Sequence, residues 1–189
     1  MSSALHQYLH SAGQFPEELI TAIVDKFSII KLKRNEFFLK EGEICKSLGF
    51  VESGLFVYYK TADNGKESVC DFAQENSWVS QYQSFVQRTP SVLFIKALEP
   101  CIVHTISLAQ LNSLYLSIPG FERLSREVVE QTFMEMVNRQ LEFQSLQAEE
   151  RYEKFQRMHP TLLQRAPQYY IASYLNIAPP SLSRIRKNQ

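Results

Sequence analysis

Residues 167–187 read PQYYIASYLNIAPPSLSRIRK, and two short helices about a tight turn account for them. Ile171, Leu175, Ile177, Leu182 and Ile185 fall at helical spacing on either side of Asn176, enough for a small shared core. Ala172 lands where the two helices cross, a place with room only for a small side chain. Asn176, four residues on, lands at the turn, where the backbone enters the left-handed region that Asn and Gly tolerate. Pro179 can open the second helix, because the first turn has no use for the amide hydrogen that proline lacks. These are the steric demands of a helix-turn-helix.

On the second helix Ser181, Arg184 and Lys187 lie about one turn apart, Ser183 and Arg186 occupy the flanking face, and Leu182 and Ile185 point inward. A short-polar, basic face of this kind suits the major groove of double-stranded DNA. An arginine can bond a guanine edge with both arms, while serines and further cations hold phosphates. Ser181, Ser183, Arg184, Arg186 and Lys187 are therefore the candidate DNA-binding residues. The competing reading is a solvated helix end whose cations complement its own dipole. Charge distribution favours DNA: the whole chain is neutral, but residues 1–150 hold 13 Lys+Arg against 19 Asp+Glu and residues 151–189 hold 7 against 1, giving −6 and +6.

Upstream, Pro119 to Gln147 carries no proline or internal break and reads as one long helix. Phe121, Leu124, Val128, Phe133, Met136, Val137, Leu141 and Phe143 give it an apolar stripe longer than one small domain can cover, so a partner helix is expected; the alternative is that the stripe packs only within the chain. From Ile29 to Ser107 the period changes to short β-prone runs, FSIIKL, EFFLKEG, LGFVESGLFVYYKT, ESVCDF and FIKALEPCIVHTIS, with Gly42, Gly54 and Asn64-Gly65 at the turns. Many short strands with regular turns imply a sandwich, barrel or roll. Leu19, Ile20, Ile23, Val24 and Phe27 place a short helix ahead of them.

Several function classes are excluded. The opening residues MSSALHQYLH lack the basic and apolar regions of an export signal, and no long uncharged apolar stretch follows, so no membrane segment is expected and the chain is placed in the cytoplasm. Cys45, Cys70 and Cys101 are scattered and read as buried reduced thiols rather than a disulfide framework or metal set. A metal-holding barrel enzyme needs several histidines from adjacent strands, yet only His104 lies in the strand region; His6 and His10 fall at the terminus, and His104 and His159 read as single, unpaired imidazoles. No nucleophile motif, phosphate loop or dinucleotide fingerprint occurs. No catalytic residue, metal site or cofactor is expected.

Taken end to end, the order of helix, β-roll, long helix and helix-turn-helix resembles the Crp/Fnr family of bacterial transcription regulators. The resemblance spans nearly all residues. It is tightest at AEERYEKFQRMHPTLLQRAPQYYIASYLNIAPPSLSRIRK, residues 148–187, which is similar to the C-terminal module of the branch found in Bacteroidetes-type bacteria. ALE at Ala97 to Glu99, Ser84-Phe85 and the glycines of the EG and ESG stretches fit that branch as well. The resemblance implies an α+β fold with three parts. Residues 1–118 would form a cyclic-nucleotide-binding-like sensor on a double-stranded, jelly-roll-like β-roll, 119–147 a dimerisation helix, and 148–189 a helix-turn-helix domain. It also implies a homodimer on two DNA half-sites about one helical turn apart, with Arg184 at the position that contacts bases or nearby phosphates. RNA polymerase and a small-molecule effector are further candidate partners. The sequence departs from the pattern at Pro179 and Pro180, where catabolite-activator members carry Arg and Glu that read base edges. It also stops just after the second helix, so no wing is expected.

Cyclic-AMP-binding members carry a Gly-Glu-Leu turn whose Glu holds the ribose and an Arg-Ser pair that neutralises the phosphate. Aligned with these, the chain presents Ser80-Gln81-Tyr82 and Ser91-Val92. A cyclic phosphate buried without its arginine is left uncompensated, at a cost on the order of several kcal/mol. The expected pocket is degenerate and does not take cyclic AMP. Trp78, Ser80, Gln81, Tyr82, Ser91 and Val92 are the candidate lining for another effector, although Trp78, Tyr82, Phe85 and Phe94 serve equally well as the roll's own core. Arg88 is near enough to substitute for the missing arginine, or else is a solvated loop charge. The alternative to a DNA-binding regulator is a sensor-like module that only dimerises or docks on a partner protein.

Overall fold

The computed structural model describes residues 3–12 and 15–187. Along them run α1 (Ala4–Ser11), α2 (Glu17–Val24), β1 (Ser28–Leu32), β2 (Phe37–Leu39), β3 (Ser47–Ser53), β4 (Phe56–Thr61), β5 (Glu67–Ala73), β6 (Trp78–Val79), α3 (Tyr82–Gln87), β7 (Phe94–Ala97), β8 (Cys101–Ser107), α4 (Leu108–Ser117), α5 (Phe121–Ser145), α6 (Ala148–Met158), α7 (Leu162–Arg165), α8 (Gln168–Tyr174) and α9 (Pro179–Lys187). The strands form two four-stranded sheets, ordered β1-β8-β3-β6 and β2-β7-β4-β5. This is the α+β roll that the strand and turn pattern implies. The chain divides into two compact units: Met1–Tyr58 with Phe72–Glu127, and Tyr59–Asp71 with Val128–Gln189.

In the first unit β8 is central, antiparallel to both β1 and β3. Val51, Phe56, Val79, Ile95 and Val103 are fully buried, and Phe38 of β2 meets Phe56 edge-on with ring centroids 6.0 Å apart. The opposite face of the first sheet carries Phe50 and its register partner Trp78. Tyr8 of α1 lies 5.1 Å from Phe50 and 5.9 Å from Trp78, and Phe27 lies 6.4 Å from Trp78. The single opening helix expected over Leu19 to Phe27 is in fact two, and α2 stops at Val24. Only Leu5 and Leu9 mark the inner face of α1, one turn of repeat and too little to show a period.

A carboxylate pins α1 to the sheet. Glu52 Oε2 accepts from the Ala4 amide at 2.8 Å and lies 2.9 Å from His104 Nε2. His104 is buried and paired, contrary to the expectation of an unpaired imidazole. His6 and His10 belong to α1 rather than to a loose terminus, and His6 Nε2 sits 2.7 Å from Glu17 Oε1.

The long helix starts at Phe121, two residues later than expected, and ends at Ser145 rather than Gln147. Proline disfavours helical backbone in the residue before it. Ile118 is accordingly extended (φ −114°, ψ 106°) and ends α4, so Pro119 and Gly120 form a corner instead of a first turn. Phe121 then anchors against Phe15 and Tyr115, with ring centroids 6.4 and 5.9 Å away. Among the described residues no helix is long and apolar enough to cross a membrane.

Candidate nucleic-acid interface

In the second unit, α8 and α9 join through the turn that the sequence requires. Asn176 has φ +53°, the left-handed value that Asn tolerates at little cost. The amide of Ile177 reaches back to the Ala172 carbonyl at 2.9 Å, and the Ser181 and Leu182 amides both donate to the Ala178 carbonyl. Pro179 and Pro180 therefore occupy the first turn, where no amide hydrogen is needed. Ile171, Ala172, Leu175, Ile177, Leu182 and Ile185 are all buried. Tyr152 and Phe155 of α6 are buried too, and Phe155 lies 5.5 Å from the Tyr174 ring.

The outward face of α9 is the cationic one. Ser183, Arg184, Arg186 and Lys187 are exposed and Ser181 is half-buried. Arg184 Nη2 donates to Ser181 Oγ at 3.3 Å, so the two residues a turn apart act as one polar group. A cavity of ≈ 490 Å³ opens between Gln147, Ala148 and Glu149 at the start of α6 and Ser181, Arg184 and Ile185 of α9. The start of α6, closed by the Gln147–Glu150 capping box and acidic at Glu149 and Glu150, thus faces the same opening as Arg184.

The tip of the β4–β5 hairpin belongs to this unit as well, and nothing in the sequence pointed to it. Val69 donates its amide to Ser173 Oγ at 2.9 Å, and the Ser173 hydroxyl reaches the Glu67 carbonyl at 3.4 Å. β5 is an edge strand, whose unpaired main-chain groups need such a cover. Tyr59 stacks on Tyr170 at 6.3 Å. Burial, with Glu67 beside it, pushes the Tyr59 hydroxyl pKa up to about 12. Arg139 of α5 pairs with Asp71 at 2.9 Å and donates to the Tyr174 hydroxyl at 3.1 Å. Burial opposes the charge of Arg139, but the Asp71 carboxylate and Tyr174 more than offset this, and its pKa is raised.

The candidate effector residues divide. Ser80 Oγ donates to the Ser47 carbonyl at 3.3 Å and lies 3.4 Å from Cys45 Sγ, while its amide donates to the Tyr58 hydroxyl. The Gln81 side chain caps α3 by accepting from the Ser84 amide. Ser91 Oγ donates to the Leu93 carbonyl at 2.8 Å, and its own main chain pairs with Gly42 and Glu43. These three side chains hold the backbone of the stretch from Ser80 to Leu93. Tyr82 and Val92 are exposed, and Trp78 belongs to the aromatic cluster with Tyr8, Phe27 and Phe50. Arg88 is exposed, in left-handed backbone that closes α3, and makes a 3.4 Å bond to the Cys45 carbonyl. Of the thiols, Cys45 and Cys101 are buried and Cys70 only half so; burial pushes Cys101 up to about 11. Among the described residues no three His, Cys, Asp or Glu side chains are placed to hold a metal ion.

Residues 29–117 match the cyclic nucleotide-binding domain family. Among curated proteins, no sequence matches this one at a significant level. Solved structures that it resembles include the c-di-GMP-responsive global regulator CLP of Xanthomonas campestris, at 13% identity and a TM-score of 0.71 over 92% of this chain and 91% of that one. FixK2 of Bradyrhizobium japonicum aligns at 14% identity and a TM-score of 0.72, covering 86% of this chain and 83% of its own. The catabolite activator protein of Thermus thermophilus aligns at 16% identity and a TM-score of 0.59, covering 93% and 84%.

Proposed function

With residues 29–117 forming a cyclic nucleotide-binding-type domain on the fold of Crp/Fnr-type regulators, we propose that this chain is a cytoplasmic, homodimeric transcription regulator. It binds double-stranded DNA through α9 used as the recognition helix of a helix-turn-helix. The observation that carries the reading is the pairing of a left-handed Asn176 turn with an exposed cationic face at Ser183, Arg184, Arg186 and Lys187. Turn and buried core orient the helix, and its polar side is left for a groove lined with phosphates and base edges.

The second copy covers α5. Val129, Phe133, Met136, Val137 and Leu141 recur on one side of that helix and are all exposed, a contiguous apolar stripe of the kind that marks a protein–protein contact. The roll does not take cyclic AMP. Ser91 and Val92 stand where an anion needs a cation, and Ser80, Gln81 and Ser91 already serve the backbone. Any effector is then of another chemistry, and activation of transcription would further require contact with RNA polymerase.

Selection from a randomised duplex library at two salt concentrations, repeated with Arg184→Ala, tests the reading. The expected outcome is a two-fold-symmetric sequence whose enrichment the variant loses, with binding that weakens as salt rises because neutralised phosphates release counterions. A second reading, a sensor-like module that only docks on protein, is favoured by Pro179 and Pro180 at the start of α9, where neither can read a base edge. It predicts no enrichment and no salt slope.

A further inference from the structure

Arg151, the fourth residue of α6, engages every nitrogen of its guanidinium on main-chain oxygen. Nε donates to the Leu175 carbonyl at 2.9 Å, Nη1 to the Leu146 carbonyl at 2.7 Å, and Nη2 to the Asn176 carbonyl at 3.3 Å. The group also lies over the Phe143 ring at 5.8 Å. Leu146 is the first residue beyond α5, Leu175 caps α8, and Asn176 is the left-handed turn residue. Helix ends leave carbonyls without intrahelical partners and with excess negative charge, so one cation satisfies two helix ends at once. The planar fork donates to the three acceptors from three separate nitrogens in one fixed plane, whereas an ammonium group must radiate all its donors from a single atom.

The consequence lies in what those carbonyls control. The path of α9 away from α8 is set by the backbone at Leu175 and Asn176, and Arg151 ties both to the end of the long helix. Resting on the DNA-binding reading above, we infer that Arg151 is a positioning residue for DNA recognition. By clamping Leu146, Leu175 and Asn176 together it sets the direction in which Arg184 is presented from α5, and so controls selectivity and half-site spacing without contacting DNA.

Arg151→Lys and Arg151→Gln are compared with the unmodified chain and with Arg184→Ala, on the duplex that the unmodified chain selects and on a scrambled duplex. Each is measured well below its own melting midpoint. The lysine variant keeps the charge, so its salt slope stays the same. Its preference for the selected over the scrambled duplex is expected to fall about tenfold or more, as loss of charged hydrogen bonds implies. A selection repeated with it returns half-sites of broadened spacing. A role in stability alone would lower the melting midpoint and leave preference and spacing unchanged, and that result overturns the inference. If the glutamine variant does not fold, the lysine variant decides; if neither folds, Arg151 is a folding residue and the inference falls. Failure of the unmodified chain to select any sequence removes the DNA-binding reading and this inference with it. Loss of selection in Arg184→Ala alone removes only the inference.

Discussion

At Gly54 a single methyl group would disturb the roll. Its φ is +106°, and a Cβ there would fall onto Cys101 Sγ and within 2.8 Å of both Cys101 Cα and the Pro100 carbonyl oxygen. The backbone has little room to yield, because the Gly54 amide is held by Glu75 at 2.8 Å and Leu98 donates to the Leu55 carbonyl at 2.8 Å. Gly54→Ala is expected to cost about 1–3 kcal/mol, read as a fall in the urea midpoint. His159 sets a pH dependence. Burial lowers its pKa from the ordinary 6.5, while Asp71 and Glu135 pull it upward, and its ring lies 5.2 Å from Phe155. The unfolded chain therefore takes up this proton first, so stability falls as pH drops through the ordinary value and levels off below the lowered one. His159→Gln should flatten that part of the change in urea midpoint between about pH 7.5 and 5.5. Single residues were legible where their placement is decided locally, as with Ala172, Asn176 and the exposure of the α9 cations. His104 was not, because its partner Glu52 is 52 positions away and no spacing rule joins them.

Among the elements, the α8–α9 turn carries the sharpest prediction. A β-branched residue in left-handed backbone is strained, whereas glycine is at ease there. Asn176→Val should lower stability by about 1–2 kcal/mol and Asn176→Gly by much less, compared by thermal melting of the two variants. This helix pair was readable because its core, turn and proline-led start all lie within the stretch from Pro167 to Lys187. The long α5 was readable too, since its apolar residues recur over many turns; only its ends moved, the first by the corner at Pro119 and Gly120 and the last because Gln147 caps α6. Elements too short to repeat their period more than once in apolar residues escaped notice. α1 shows one apolar repeat, and β6 is two residues long. Trp78 read both as effector lining and as core, because strand alternation cannot reveal which side of a two-residue strand will face α1.

For the whole molecule, the expected dimer puts the exposed stripe of α5 to the test. Phe133→Glu combined with Val137→Glu places like charges where a second copy would pack. The measured solution mass should fall to that of one chain, and DNA affinity with it, while far-UV circular dichroism stays unchanged; an unaltered mass would show that this stripe is not the dimer contact. The candidate site was legible on one side only. Charge asymmetry, helical period and turn sterics are short-range properties, each decided by residues within a few turns of one another. By itself, then, the sequence determined the order of elements, the roll followed by a long helix, and the cationic face of α9. Only the tertiary structure decided which distant groups meet: Glu52 with Ala4 and His104, the hairpin tip with Ser173 and Tyr170, and Arg151 with three carbonyls from two helix ends. Such pairings arise where packing brings separate segments together, and main-chain carbonyls look alike in every residue, so no local pattern announces which of them a guanidinium will find.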